Sequence, residues 1–486
     1  MQNPNHILKN YIFIHHTKLD FMRAKFINLL FILSAIIPLK ANITEPPLVE
    51  IRTGQALISM DYSPDGTKIV VGGQNKEVVI WDIATGAIVK TMKGHSDNVV
   101  AVRYSPNGRY IASGGVDNKF LIWDAITGDL LHTLTAHKDY VRDVAFSPDS
   151  KLVASASWDG TANVWQTLTG DLVGTIMGHN DNVTAVSFSP DGKKIATGSG
   201  DKTIKIWDTT NWIETTTLLG HTDEVWDVDF SNNGKYLAGG GWDNKARIWD
   251  IAAQKEIFTF AAHASDTWSV CFSPDDQLLA TGGGDKKVKV WDLATGDLAA
   301  DISGNYFGGE VETVCFSPDG KKIAAVSRDG YIRIFKAPTT GDRRAAYVSK
   351  KSEVWKAKGE FEKTGEFERR LQNAPIQEIA FTEEYNNKAV SFFEKNTKWS
   401  ELELGSYQPD REVYQLKSPV LGTLFIRIPP KEAEIFKANF KNIVIKKPKF
   451  LVGTENLLLE YADIELAVGR DSKKYLLLSD LFYNQK

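Results

Sequence analysis

Cysteine is nearly absent: the 486-residue chain has two, Cys271 and Cys315. Two thiols cannot supply the disulfide framework that holds small extracellular folds together. They occupy matching places in "SVCFSPD" and "TVCFSPD", on what read as neighbouring strands. Packed strand layers lie about 10 Å apart, beyond the reach of a disulfide, so both are expected as small buried residues. Histidine is sparse as well. Six lie beyond residue 41, too scattered to build a clustered His/Cys metal site, and no metal or other cofactor is expected. Basic excess is missing too, and the net charge of -4 argues against a nucleic-acid binder. After residue 41 no stretch approaches the roughly twenty apolar residues of a membrane span. A phosphate-cradling glycine loop opening a helix, a Gly-x-Ser-x-Gly elbow and a His-Glu-x-x-His pair are all lacking. No catalytic residue is therefore assigned.

The amino terminus has what the body lacks. From Met22 the chain reads "MRAKFINLLFILSAIIPLKAN", joining two basic residues, an apolar run from Phe26 to Ile37 and Ala41. That is the pattern of a secretory signal peptide. Residues 1–41 are read as a leader with its signal peptide over 22–41, and the mature chain as exported to the periplasm or cell surface. With the leader removed it is not an integral membrane protein. The alternative is an uncleaved leader acting as an anchor.

Beyond the leader, the chain repeats itself. Trp81, Trp123, Trp165, Trp207, Trp249 and Trp291 stand 42 residues apart, and all but Trp165 precede an Asp. His95, His137, His179, His221 and His263 keep the same step. Between them recur "SPDG" turns, where Gly and Asp supply the backbone angles a tight turn needs. Each unit reads as four short strands, as in "NVTAVSFS", "KIATGS", "TIKIWD" and "IETTTLL". A period of this length points to a propeller or a solenoid.

These Gly-His, turn-Asp and Trp-Asp residues, in register, resemble the WD-repeat β-propeller family over residues 48–337. The resemblance implies an all-β seven-bladed propeller followed by a smaller α+β domain. It further implies that the strand within 46–53 completes the seventh blade and closes the ring. In each blade the family ties a loop His, a second-strand hydroxyl, a turn Asp and a third-strand Trp into one buried hydrogen-bond chain. The matching sets are His95, Ser113, Asp117 and Trp123; His137, Ser155, Asp159 and Trp165; His179, Thr197, Asp201 and Trp207; and His263, Thr281, Asp285 and Trp291. The fifth set, His221, Asp243 and Trp249, has Gly239 in the hydroxyl place. Hydroxyl, imidazole and carboxylate could make a nucleophile and its base. A constellation repeated blade after blade is scaffold, since catalytic triads are defined by geometry and role.

Some residues are not demanded by the repeat. Trp158 and Trp242 precede turn aspartates, as does Arg328, and other blades place Gly, Val or Gln there. A column near the start of the first strand holds Arg142, Trp226 and Trp268, and the loop entering the last blade holds Tyr306 and Phe307. Aromatic residues and Arg are enriched at binding hot spots, so these eight are the expected partner-binding rim for a protein or peptide. The plainer alternative is that the tryptophans fill gaps between blades at the channel mouth. The expectation is a non-catalytic interaction scaffold of the bacterial cell envelope. The competing class is a propeller enzyme or a glycan-binding protein using the rim or channel mouth.

Residues 338–349 read as a linker and 350–486 as an α+β accessory domain. "SEVWKAKGEFEKTGEFERRLQNA" and "IQEIAFTEEYNNKAVSFFEKNTKW" read as helices, followed by strands and a short helix in "PKEAEIFKANF". The strings "GEFEKTGEFERR" and "IPPKEAEIFKANF" resemble an uncharacterised accessory domain of exported bacterial proteins.

Overall fold

The Ser-Pro-Asp-Gly segments close because each Ser hydroxyl works twice. In the fourth repeat unit Ser189 donates to Asp191 Oδ1 at 2.7 Å and accepts from the Lys194 N–H at 2.9 Å. Gly192 takes the left-handed φ of +69° that completes the turn. With these turns fixed, the alternating apolar residues on either side pair as antiparallel strands. The computed structural model describes residues 46–479, with the exception of 304–305, 358–361, 363, 398, 400–401, 409–410, 419–421, 453–456 and 469–470.

Seven four-stranded antiparallel sheets follow one another as blades of a propeller. Blade one is Leu57–Tyr62, Lys68–Gly73, Glu77–Asp82 and Ile88–Lys93. The next five repeat that order, with the first strand innermost. In the last blade the outer strand is Val49–Arg52, pairing with Tyr331–Lys336 from Val49↔Ile334 to Arg52↔Tyr331. Arg333 binds Glu50 at 3.0 Å across this joint. Inside the ring, Thr313 Oγ1 donates to the Ile58 carbonyl at 2.9 Å. The closing strand expected within 46–53 is thus in place, and no open sheet edge is left at the joint.

Apolar residues pack between adjacent blades. Trp123 sits at 1 % exposure among Val70 and Ile80 of the preceding blade and its own Val102, Ile111 and Leu121. The inner strands have one edge facing the channel, and its N–H groups need acceptors. Side chains of the preceding blade supply them. Asp61 accepts from Tyr104 N–H at 2.8 Å, Asp143 from Val186 N–H at 3.0 Å, Asp227 from Val270 N–H at 2.9 Å and Asp229 from Phe272 N–H at 2.8 Å.

Residues 338–349 are not a linker. Helix α1, Thr340–Lys356, starts there behind a capping box in which Thr339 and Asp342 satisfy each other's backbone N–H. The helix expected further on is divided: α1 ends at Lys356 and α2 spans Thr364–Leu371. Helix α3 is Ala374–Asn396 and α4 is Pro430–Asn439. Between and after them lie six strands of one antiparallel sheet, with Asp471–Ser479 inserted between Gly422–Arg427 and Leu457–Val468.

This region is fastened to blade six. Tyr385 donates to Asp292 Oδ2 at 2.9 Å, Arg343 reaches Gln277 at 3.0 Å and Asp292 at 3.6 Å, and Lys350 pairs with Asp297. Among the described residues no helix is long and apolar enough to cross a membrane. The expected leader, residues 1–41, lies outside the described residues.

Candidate functional site

The polar sets form as the repeat implied. His179 Nδ1 lies 2.9 Å from Asp201, its Nε2 lies 2.7 Å from Thr197 Oγ1, and Trp207 donates to that oxygen at 2.8 Å. An indole N–H can only donate and a carboxylate can only accept, so in the neutral imidazole Nε2 takes the hydroxyl proton. Nδ1 then carries the ring proton and donates to the carboxylate. The sets of His95, His137 and His263 have the same connections. Burial pushes the Asp117 carboxyl up, but the hydrogen bonds from His95 and from Ser96 N–H outweigh it and hold it at about 2. Every atom a nucleophile would need is already committed to the fold. In blade five, Gly239 leaves His221 Nε2 without a partner, and Trp249 turns instead to the Leu219 carbonyl at 3.3 Å.

Along the channel, one inward-facing column reads Asp61, Arg103, Ala145, Ser187, Asp229, Cys271 and Cys315. With Asp227 from the neighbouring ring they line a cavity of about 280 Å³. Both cysteines are free and half-buried on the channel wall rather than packed in the core. Among the described residues no group of three or more His, Cys, Asp or Glu could hold a metal ion.

At the opposite end of the inner strands, where they begin, the tryptophans converge. Blade four carries only Gly200 and Thr184 in the two columns that supply large side chains elsewhere. Trp158 from blade three and Trp226 from blade five fill the space so left, meeting edge to face at 6.5 Å between ring centroids. Trp226 stacks on Trp242 at 5.0 Å and meets Trp268 edge-on at 5.0 Å. Arg142 lies over the Trp226 ring at 4.6 Å, and Arg328 over Trp268 at 6.0 Å. Arg328 also binds Glu310 at 3.3 Å and the buried Glu312.

Trp226 is 8 % exposed, whereas Trp158, Trp242 and Trp268 are half-buried and Arg328 is exposed. None of the four indole N–H groups has a hydrogen-bond acceptor. Six of the eight expected rim residues therefore form one contiguous cluster. Tyr306 and Phe307 do not join it: they pack on Phe335 at 5.7 and 5.9 Å, and Phe307 is 4 % exposed. They fill the core where blade seven has Phe335 in place of Trp. Sequence reasoning missed Tyr140, which packs on Trp158 at 5.1 Å. Its place two residues before Arg142, in the loop that enters the strand Val141–Phe146, was the available signal.

A family model described as WD domain, G-beta repeat matches residues 48–82, 86–124, 128–166, 170–208, 212–250, 254–292 and 298–336, more than half of the chain. No curated protein matches the chain.

Proposed function

The chain belongs to the WD-repeat family, and from that membership we propose that it is a non-catalytic scaffold of the bacterial cell envelope that binds a polypeptide partner on its tryptophan rim. WD repeats generally mediate protein–protein interaction. One observation carries the choice of face: four tryptophans from three blades, none needed by the repeat, meet at one channel mouth with their N–H groups unpaired. Large aromatic rings at a channel mouth suit a partner that brings apolar side chains. Acidic Asp223, Glu224, Asp266 and Glu310 stand around them, and burial first, then like charge from Asp181, Asp223 and Glu310, pushes the Glu224 and Asp266 carboxyls up. The leader supports export, and the carboxy-terminal region is taken as an α+β accessory unit of exported proteins.

The test is capture from the envelope fraction with the mature chain as bait, beside a Trp158→Ala/Trp242→Ala variant that still melts cooperatively. A protein held by the parent and lost by the variant supports the rim. Equal capture by both overturns it.

A further inference from the structure

Each inner strand of the propeller begins with a β-bulge, where the pairing slips across one residue, as between Val141 and Asp143 in blade three. A bulge leaves its extra residue out of the ladder and re-aims its side chain. In blade three that residue is Arg142, between Val100 of blade two and the small Thr184 of blade four. Trp226 and Trp268 hold the place in blades five and six, and Ile58 in blade one. Blade seven has Glu312, buried and bound by Arg328.

The charge of Arg142 is not met. Among the described residues its guanidinium has no hydrogen bond and no ion pair, and its nitrogens are not buried. Every other arginine of the propeller that is not exposed has a carboxylate: Arg103 has Asp143 at 3.4 Å, Arg247 has Glu256 at 2.7 Å and Arg333 has Asp329 at 2.8 Å. Arg142 instead lies over the Trp226 ring at 4.6 Å, with Trp242 stacked on the same indole at 5.0 Å. Burial draws its pKa below the ordinary arginine value, against the upward pull of Glu312, Asp143 and Asp227. A half-buried cation so placed gains from an incoming anion.

We propose that Arg142 takes a carboxylate of the bound polypeptide, from a segment that carries one Asp or Glu with large apolar residues on both sides. This rests on the reading of the rim as a polypeptide-binding face. The guanidinium fork can hold a carboxylate through two parallel hydrogen bonds. Apolar ground lies to either side of it, Trp158 and Trp268 on one and the half-buried Val100 and Ile58 on the other. An acid within a segment uses both sides, whereas a terminal carboxylate would leave one bare. Asp223, Glu224, Asp266 and Glu310 stand on the same rim, and they repel a run of acids, which limits the segment to one.

The experiment selects random dodecapeptides, displayed on phage through their carboxyl ends, on the mature chain and on its Arg142→Gln, Arg142→Lys and Trp158→Ala/Trp242→Ala variants. Peptides enriched on the parent should share one acid between apolar residues and be lost on the double tryptophan variant. An enriched peptide, synthesised with both ends blocked, should bind on the order of tenfold more weakly when its acid becomes the amide. Arg142→Gln should weaken the acid peptide equally and leave the amide peptide as it was, while Arg142→Lys keeps the preference for the acid. Peptides that need the tryptophans but carry no acid overturn the proposal and leave the rim reading standing. Peptides indifferent to the tryptophans, or no enrichment, overturn both. If Arg142 only supports Trp226, its Gln and Lys variants will weaken acid and amide peptides alike, which also overturns the proposal.

Discussion

The hydroxyl of Tyr385 donates to Oδ2 of Asp292 at 2.9 Å, and the carboxylate it meets is the Asp that follows the blade-six Trp. In other blades this Asp serves its own turn: Asp124 accepts from Ile126 and Thr127 N–H, and Asp250 from Ala253 N–H. Asp292 keeps the turn bond, to Ala294 N–H, and gives its second oxygen to the carboxy-terminal region.

Replacing it should therefore cost more than replacing its counterparts. Asp292→Ala takes from Arg343, 5 % exposed at its side chain, the carboxylate 3.6 Å away, an effect of about 3 kcal/mol. Asp250→Ala removes one exposed turn bond, worth about 1 kcal/mol. Urea unfolding of the two variants checks the difference, and equal losses would show that the fastening carries little.

The fifth polar set offers a gain. A Cβ at residue 239 would sit 3.1 Å from His221 Nε2 and 2.7 Å from the end of Ile204. Gly239→Ser combined with Ile204→Val makes room for the missing hydroxyl. Satisfying the buried Nε2 should raise stability by about 1 kcal/mol, seen as a higher melting temperature. A lower one would show that the strand needs glycine's fit more than the bond.

Acid should act in two opposite ways. Burial in the ring pushes the channel carboxyls of Asp61 and Asp227 up to about 6 and Asp229 up to about 7. These groups bind protons more readily folded than unfolded, so stability should rise as the pH falls from about 8 to about 5. The channel admits water, which keeps the gain below that of full burial. Asp117 and Asp243 behave in reverse. Despite burial, hydrogen bonds from His95 and His221 hold them at about 2. Their contribution is whole above the unfolded carboxyl value of about 4 and is lost as the pH falls through about 2. Melting temperatures across this range should pass through a maximum near pH 5, and Asp229→Asn should flatten the neutral side alone. A steady decline from pH 8 downward would contradict the argument.

Deleting residues 46–53 should lower the melting temperature and broaden the transition. The cut uncovers the edge of Tyr331–Lys336 and leaves Arg333 without Glu50. An unchanged, sharp transition would refute the view that this strand closes the ring.

Much of this was legible because the 42-residue step places equivalent residues side by side on the page. Blade count, closing strand and polar sets were what the resemblance to the WD-repeat family implied once the period had set its residues in register, and the gap at Gly239 showed as a departure from that pattern. The tryptophan cluster was half legible. Its members stood out from their columns, but that Trp226 reaches across blade four to Trp158 depends on side-chain size two blades away. Tyr306 and Phe307 were misplaced because a loop residue's direction is set by the core it caps, here Phe335. The Tyr385–Asp292 contact had no periodic signal at all. Residues 338–349 read as a linker because the repeat stops there, although Thr339 followed by Asp342 spells a helix start.

The seventh blade joins the first-made strand of the ring to the last-made ones. During synthesis Val49–Arg52 emerges early and waits, unpaired, until Tyr331–Lys336 has left the ribosome. Six blades can assemble in order behind it, but the circle cannot shut until nearly the whole propeller exists. A chain cut short anywhere before that point carries a loose strand at one end and a bare edge at the other, which gives quality-control proteases a direct mark of incompleteness.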